Sequence, residues 1–335
     1  MSGCFKMFKN ILKIFVILLT ISSVWSDLRA QDYTYSQFYA NPLYLNPALA
    51  GSEYCPRITL NYRNQWPSLP QAFTSYSASY DQFSEFLSGG LGIQFNYNQS
   101  GETALHEFQV NGMYAYNFFV SDLIEANLAV QAGLGNRGFN KDKLIFGFDP
   151  NGNPVNPNLD EYEDNVMYPD FATGFLIGYD EKYFLGGAVH HLSQPDISLK
   201  TGNEYLLPMK FTIHGGANFE TGGRGFRRTS GPVLGISPNV MYQMQGEYQQ
   251  LNLGTYFTYD PFVAGLWYRH AFTNPDAVIV SLGLQRDNLR LGYSFDYTVS
   301  TLTMAGGGAH EISLSWVFDC NEKRRRSRAI KCPSF

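Results

Sequence analysis

From about residue 57 onward the chain alternates apolar and polar side chains with a period of two. Successive side chains on a strand point to opposite sides, so this period predicts strands with two different faces. In 289–297, Leu289, Leu291, Tyr293, Phe295 and Tyr297 share one face against Arg290, Gly292, Ser294 and Asp296. The same division sets Leu251, Leu253, Phe257 and Tyr259 against Asn252, Gly254 and Thr258, and Ile312, Leu314, Trp316 and Phe318 against Glu311, Ser313 and Ser315. It also sets Phe108, Val110, Tyr114 and Tyr116 against Gln109, Asn111 and Asn117. About fourteen such runs are predicted, near 57–66, 71–81, 90–98, 106–119, 123–137, 169–180, 182–192, 208–220, 231–244, 248–259, 261–272, 276–286, 288–299 and 308–319. Each is near or above the ~9–11 residues that a tilted membrane strand needs. Pro238 interrupts the run 231–244, and proline demotes a central strand.

Two stretches before residue 57 break the pattern. Residues 1–30 read as an export signal: Lys6, Lys9 and Lys13 precede the apolar core Ile14 to Val24, and Ala30 sets cleavage before Gln31. Cys4 lies ahead of that core, so a lipoprotein signal is not supported. The second stretch is Ser36 to Gly51, with Asn-Pro pairs at Asn41-Pro42 and Asn46-Pro47. Proline lacks an N–H and pushes the preceding residue out of the helical region, so no continuous helix forms here. Phe38, Tyr39, Leu43, Tyr44, Leu45 and Leu49 still need something to pack on.

The connections between runs carry their own pattern. In a barrel with both termini in the periplasm, even-numbered connections are short and odd-numbered ones longer. The short connections 120–122, 180–182, 260–261 and 286–288 are all even, while 138–168 and 193–207 are odd. Two even connections depart from this, 82–89 and 220–230, the latter carrying Arg224, Arg227 and Arg228.

Composition narrows the class further. Of 335 residues 44% are apolar and only 16% charged, with 23 Tyr, 26 Phe and 32 Gly. Charge is well below the usual quarter, and mean hydropathy is only −0.22. No segment after the signal approaches ~18 uninterrupted apolar residues, so a helical membrane protein is excluded. An aromatic-rich, glycine-rich, charge-poor chain of alternating strands fits a transmembrane antiparallel β-barrel with closed up-and-down topology. The parity of the connections favours it over a soluble sandwich. Removal of residues 1–30, with four basic residues and one acidic, leaves 20 basic against 28 acidic, net −8. That argues against nucleic acid as a partner.

Candidate chemistry is sparse. Asp149-Pro150-Asn151-Gly152-Asn153 opens like a calcium loop, but Pro154 stands where the glycine is needed and Asp160 where the bidentate glutamate is needed. We read it, with Asp160 to Asp164, as a polar surface loop. His190 and His191 are adjacent, so on a strand they point to opposite faces and cannot share a metal. His310-Glu311 is read the same way. There is no Gly-x-Ser-x-Gly elbow and no nucleotide fingerprint. No catalytic residue, cofactor or metal is expected. A triad assembled across strands, making a barrel enzyme, is the weakest alternative.

Three cysteines follow the signal: Cys55, Cys320 and Cys332. In a closed barrel the first and last strands are neighbours. Cys55 precedes the first run and Cys320 follows the last, so a Cys55–Cys320 disulfide across the seam is the expectation; Cys320–Cys332 is the competing pair. The end of the chain is basic, with Lys323, Arg324, Arg325, Arg326, Arg328 and Lys331, and reads as a solvated tail or as a contact for an acidic periplasmic partner.

The chain also resembles a known family. The pieces that carry the resemblance are Gln37-Phe38-Tyr39-Ala40-Asn41-Pro42-Leu43-Tyr44-Leu45-Asn46-Pro47-Ala48-Leu49-Ala50-Gly51 and Asn61-Tyr62-Arg63-Asn64-Gln65-Trp66-Pro67. Further pieces are Ser79-Tyr80-Asp81, Gly89-Gly90-Leu91-Gly92, Pro169-Asp170-Phe171, His191-Leu192-Ser193-Gln194-Pro195, Gly292-Tyr293-Ser294-Phe295-Asp296-Tyr297 and His310-Glu311-Ile312. Over about residues 33–318 the chain resembles the PorP/SprF outer-membrane proteins of the type IX secretion system of Bacteroidetes. The resemblance implies an outer-membrane barrel without enzymatic activity. It implies a part in exporting proteins with a type IX C-terminal signal, gliding adhesins among them, or in retaining them at the surface. Other secretion components, secreted cargo and periplasmic proteins are the implied partners.

The resulting organisation is a signal peptide over 1–30, a periplasmic N-terminal segment over 31–55, a barrel in outer-membrane lipid over 56–319 and a basic periplasmic tail over 320–335. The functional alternative is a porin or solute channel. Gln37, Phe38, Tyr39, Asn41, Pro42, Tyr44, Asn46 and Pro47 form a candidate partner-docking segment. Its apolar residues have three possible homes: the barrel rim, the lower lumen as a partial plug, or a partner protein.

Overall fold

In the computed structural model the described residues are 32–69, 72–101, 105–140, 161–221, 234–272, 274–299 and 306–320. The predicted export signal, the calcium-like stretch from Asp149 to Asp160, Arg224, Arg227, Arg228 and the basic tail with Cys332 lie outside them.

Fifteen strands form one antiparallel sheet. They are β1 (Arg57–Gln65), β2 (Phe73–Ser84), β3 (Gly89–Ser100), β4 (Leu105–Ser121), β5 (Ile124–Phe139), β6 (Asn165–Tyr179), β7 (Tyr183–His190), β8 (Lys210–Ala217), β9 (Phe219–Thr221), β10 (Leu234–Gln245), β11 (Tyr248–Tyr259), β12 (Phe262–Ala271), β13 (Asn274–Arg286), β14 (Leu289–Thr298) and β15 (Ala309–Val317). Neighbours in sequence pair in space, and β1 pairs with β15 from Arg57 opposite Val317 to Gln65 opposite Ala309. That last pairing closes the sheet into a barrel without edges. β8 and β9 both pair with β10 and make one stave, so the barrel has fourteen. Every predicted run is a strand, within a few residues at each end.

The weak run holds a strand for a reason that Pro238 itself supplies. β10 pairs with β9 over 234–236 and with β8 over 239–245, and it loses the ladder between them. Pro238 has no N–H to offer there. The break in the neighbouring stave falls at Asn218, whose side chain accepts a 2.6 Å bond from Ser237 Oγ.

The alternation resolves into a lipid face and a lumen face. Along β6, Tyr168, Asp170, Ala172 and Leu176 are buried, while Met167, Phe171, Phe175, Ile177 and Tyr179 are exposed. The same outward set on other strands includes Leu60, Val130, Leu253, Leu282 and Trp316. So large an exposed apolar surface is compatible with hydrocarbon rather than water around the wall. No helix among the described residues is long and apolar enough to cross a membrane.

Among the even connections, β2–β3 is a four-residue turn, while β4–β5, β11–β12 and β13–β14 turn in two. The odd connection β7–β8 is long, and Ile197 and Leu207 from it pack on Tyr168. Gly246-Glu247 between β10 and β11 is a short odd turn that breaks the parity. The His190-His191 expectation is corrected. β7 ends at His190, and His191 adopts φ 59, which breaks the alternation and buries both side chains. His310 and Glu311 do alternate, His310 half-exposed on the lipid side and Glu311 in the lumen.

Candidate functional site

The lumen is occupied by the chain's own residues 32–55. Of the homes open to this segment, the structure takes the lumen, and the segment fills far more of it than a partial plug. Its Asp32 end lies among the odd connections and its Cys55 end at the even rim, so it runs the full depth of the barrel. The Asp32 end therefore shares its rim with the odd connections, and the Cys55 end with the short even turns.

The two Asn-Pro pairs decide its local shape. After a first short turn at Phe38–Ala40, each proline starts a new one rather than continuing it, at Pro42–Leu45 and Pro47–Leu49. Proline suits the first position of a helical turn, where its missing N–H costs nothing. Asn46 caps the third turn by accepting the Ala48 N–H at 2.9 Å, and its Nδ2 donates to the Phe175 carbonyl at 2.9 Å. Asn41 Oδ1 accepts from Gln94 Nε2 at 3.2 Å. The compact run turns its side chains outward in all directions, and the wall receives them.

Four layers of contact hold it. At the odd-connection mouth the Asp32 carboxylate accepts from His191 Nε2 at 2.8 Å, Lys210 Nζ at 3.1 Å and Gln245 Nε2 at 3.0 Å. His191 Nδ1 lies 2.9 Å from Asp170 Oδ2, so the ring bridges two carboxylates. Burial pushes the His191 pKa down, but Asp32 and Asp170 more than reverse this and raise it to about 10. Burial pushes the Asp32 carboxyl up, and the charges of His191 and Lys210 overcome it, holding it well below the usual carboxylate range. Lys210 Nζ also sits 4.6 Å over the Tyr44 ring.

Deeper in the barrel, the Ser36 and Gln37 N–H groups donate to the two oxygens of Glu311 at 2.7 and 3.1 Å. Ser36 Oγ donates to Asp296 at 2.6 Å and accepts from Arg63 and Arg269. Both arginines also bind Asp296, at 2.9 and 3.0 Å. All four charged side chains are buried, each against an opposite charge, as burial of charge requires.

Below that lies the apolar layer. Phe38 meets Trp267 edge-on at 5.2 Å, and Tyr39 meets Phe184 at 5.7 Å. Leu43, Ala48 and Leu49 are inaccessible, beside Leu176, Met241 and Ile279. The wall makes room with glycines. A Cβ at Gly90 would overlap the Ala50 carbonyl oxygen, and one at Gly174 would overlap Asn46 Oδ1. At the even rim the Gly51 N–H donates to Asp81 at 2.8 Å, and Arg57 clamps Asp81 with two bonds of 2.9 Å. Cys55 is joined to Cys320 by a disulfide, Cα to Cα 5.6 Å, tying the lower end of the segment to the end of β15.

All eight residues of the candidate docking segment lie in the lumen: Gln37, Phe38, Tyr39, Asn41, Pro42, Asn46 and Pro47 buried, Tyr44 half-buried. In this conformation the barrel wall is what they dock on. Sequence reasoning missed the wall's side of the contact: Arg63, Asp81, Lys210, Arg269, Asp296 and Glu311. A signal existed, since these charges stand at lumen-face positions of strands whose opposite face is apolar. No group of three or more metal-ligating side chains occurs among the described residues.

Solved structures with similar folds are outer-membrane barrels. They include the toluene transporters TbuX of Ralstonia pickettii (10% identity, 83% of this chain and 93% of that one, TM-score 0.48) and TodX of P. putida (9%, 82% and 93%, 0.46), and Omp33 of Acinetobacter baumannii (9%, 79% and 98%, 0.40). No match is found among curated proteins. Family membership is decided by sequence: residues 28–316, including the lumen segment and the wall that receives it, match the type IX secretion system membrane proteins PorP/SprF, and the chain belongs to that family of the outer membrane.

Proposed function

We propose that this barrel is a non-enzymatic accessory of type IX secretion that supports export, or retention at the cell surface, of proteins with a C-terminal secretion signal, gliding adhesins of Bacteroidetes among them. The observation that carries the reading is the combination of family membership with a lumen filled along its depth by the chain's own residues. A filled lumen serves a scaffold or a gated element better than a passive pore. On this reading the exterior face meets cargo, the even rim meets periplasmic components, and the export signal is cleaved before Gln31. The Cys55–Cys320 bond then anchors the lower end of the plug while its upper end is held only by side chains.

A clean deletion tests it. Cargo carrying the signal is expected to accumulate in the periplasm, or to be shed into the medium, with general permeability unchanged. Normal export together with normal surface retention would defeat the reading.

The porin alternative has one observation in its favour. Lumen-facing Asn96, Asn98 and Gln131 each keep a buried oxygen without a partner among the described residues, which suits contact with water. Planar-bilayer recording of the intact protein separates the two readings: steady, solute-selective conductance favours the porin, and a closed barrel the accessory.

A further inference from the structure

The wall is uneven at the odd-connection rim. β6 starts at Asn165, but its pairing with β7 begins only at Thr173. β8 starts at Lys210, opposite His190 at the end of β7. Beyond β7 and β8 the side of β6 therefore has no strand against it, and the β7–β8 connection lies there instead. The Leu192 N–H donates to the Phe171 carbonyl at 2.9 Å, and Ser193 Oγ donates to the Pro169 carbonyl at 3.1 Å. Further out, the Glu163 N–H donates to the Leu199 carbonyl and the Thr201 N–H to the Glu161 carbonyl, both at 2.8 Å.

The connection folds inward as a unit. Asp196 Oδ1 accepts the N–H groups of Ser198 and Tyr205, each at 2.9 Å, and the Ile197 N–H donates to the Tyr205 carbonyl at 2.9 Å. The small hairpin so formed buries Ile197 and Leu207 against Tyr168 on the lumen face of β6. Gly135 leaves room for the Tyr168 ring, which a Cβ there would overlap. The Tyr168 hydroxyl donates to Glu107 of β4.

Both feet of the connection hold one residue of the plug. His191 is its first residue and Lys210 follows its last, and both donate to the same Asp32 oxygen, Oδ2, at 2.8 and 3.1 Å. Gln245 Nε2 donates to Asp32 Oδ1 at 3.0 Å and to the Pro208 carbonyl at 3.3 Å. If the hairpin leaves Tyr168, the backbone that aims His191 and places Pro208 loses its support. If Asp32 leaves, the two feet lose the carboxylate that draws them together.

We propose that the β7–β8 connection is a strap over the mouth end of the plug, and that strap and plug end open as one unit. Pulling the hairpin off Tyr168 frees Asp32, and freeing Asp32 loosens the hairpin, because coupling between two sites is reciprocal. A pull at the odd rim, where the connection exposes Leu192 and Leu206, thereby reaches the lumen without anything entering it. The coupling belongs to the barrel itself and is independent of the secretion role.

Hydrogen-exchange mass spectrometry tests it on the full-length barrel in mild detergent. Ile197→Asp strips the hairpin from Tyr168 and alters no residue of the plug. It is expected to speed exchange over residues 33–37, where the Ser36 and Gln37 N–H groups are bonded to Glu311, by about fivefold or more. Asp32→Ala should speed exchange across 192–207 to a similar extent. Leu49→Ala, which opens a cavity at the other end of the plug, should leave 192–207 unchanged. Heat-modifiable migration in gels reports that each variant is folded, and Ile197→Ala replaces the aspartate variant if that one does not insert. Exchange that rises only on the substituted side overturns the proposal. So does equal acceleration of 192–207 by Leu49→Ala, which would make the response a general loss of stability.

Discussion

His191 owes its role to one backbone angle. Its positive φ turns the ring back into the lumen, where it joins Asp32 of the plug to Asp170 of the wall. Because its pKa rises to about 10 in the folded state, its contribution is complete below the unfolded value near ~6.5 and is lost as pH climbs through about 10. Asp32 works the other way: its contribution is present above ~4 and is lost only in acid. Lys210, His190 and Glu107 also face this cluster. The mouth is thus held most tightly in mildly acid to neutral conditions. A nitroxide at position 33, carried by Tyr33→Cys in a Cys332→Ser background, is expected to gain a mobile spectral component between pH 7 and 10. With His191→Gln added the label should be mobile at every pH, and an unchanging spectrum in the parent would refute the linkage. Gly90 acts at the same scale. Gly90→Val pushes into the Ala50 carbonyl and should lower stability by at least about 1–3 kcal/mol in a heat-modifiability assay. Gly112→Val, where a Cβ has only an ordinary 3.8 Å contact, is the control.

Among elements, β10 and the plug each turn a local rule to structural use. Pro238 breaks one ladder segment and so divides β8 from β9. Pro238→Val returns an N–H to the ladder and is expected to stabilise the barrel by about 0.5–1.5 kcal/mol in urea unfolding from detergent. A loss of stability would mean that the break relieves strain elsewhere. The plug uses its prolines to stay compact, and Glu311 fixes it by taking two backbone N–H groups while facing Arg63. Glu311→Ala leaves buried arginine charge less well paired. The expected loss is about 3–5 kcal/mol, read as a lower unfolding temperature. A loss below 1 kcal/mol would show that Asp296 alone suffices.

For the whole molecule the central feature is that the barrel closes around its own N-terminal segment. Folding must therefore seat residues 32–55 in the lumen as well as join β1 to β15. Deletion of residues 33–50 is expected to leave an inserted, heat-modifiable barrel that conducts ions in planar bilayers. It should also block cargo export; failure to insert would instead assign the segment a purely structural part. The seam offers a covalent check. Non-reducing peptide maps should recover Cys55 linked to Cys320, and Cys55 found as a free thiol would remove the proposed anchor.

Much of this architecture is legible without coordinates. Period-two alternation marks all fourteen staves, because a wall between lipid and lumen imposes a different solvent on each face at every residue. The Asn-Pro pairs likewise announce a punctuated segment, since proline acts through covalent geometry and needs no tertiary partner. What alternation cannot convey is which lumen-facing residues meet. Arg63 and Asp296 are separated by 233 residues and Asp32 and Lys210 by 178, and only barrel closure brings them together. The destination of the plug is settled the same way. Its aromatics require burial wherever they lie, and the sequence is equally consistent with a rim, a partner or a lumen. Glycines placed where Ala50 and Asn46 arrive, and charges placed where Asp32 and Ser36 arrive, make the lumen the one surface shaped to receive them. That complementarity exists between strands distant in sequence, so the tertiary structure alone decides it.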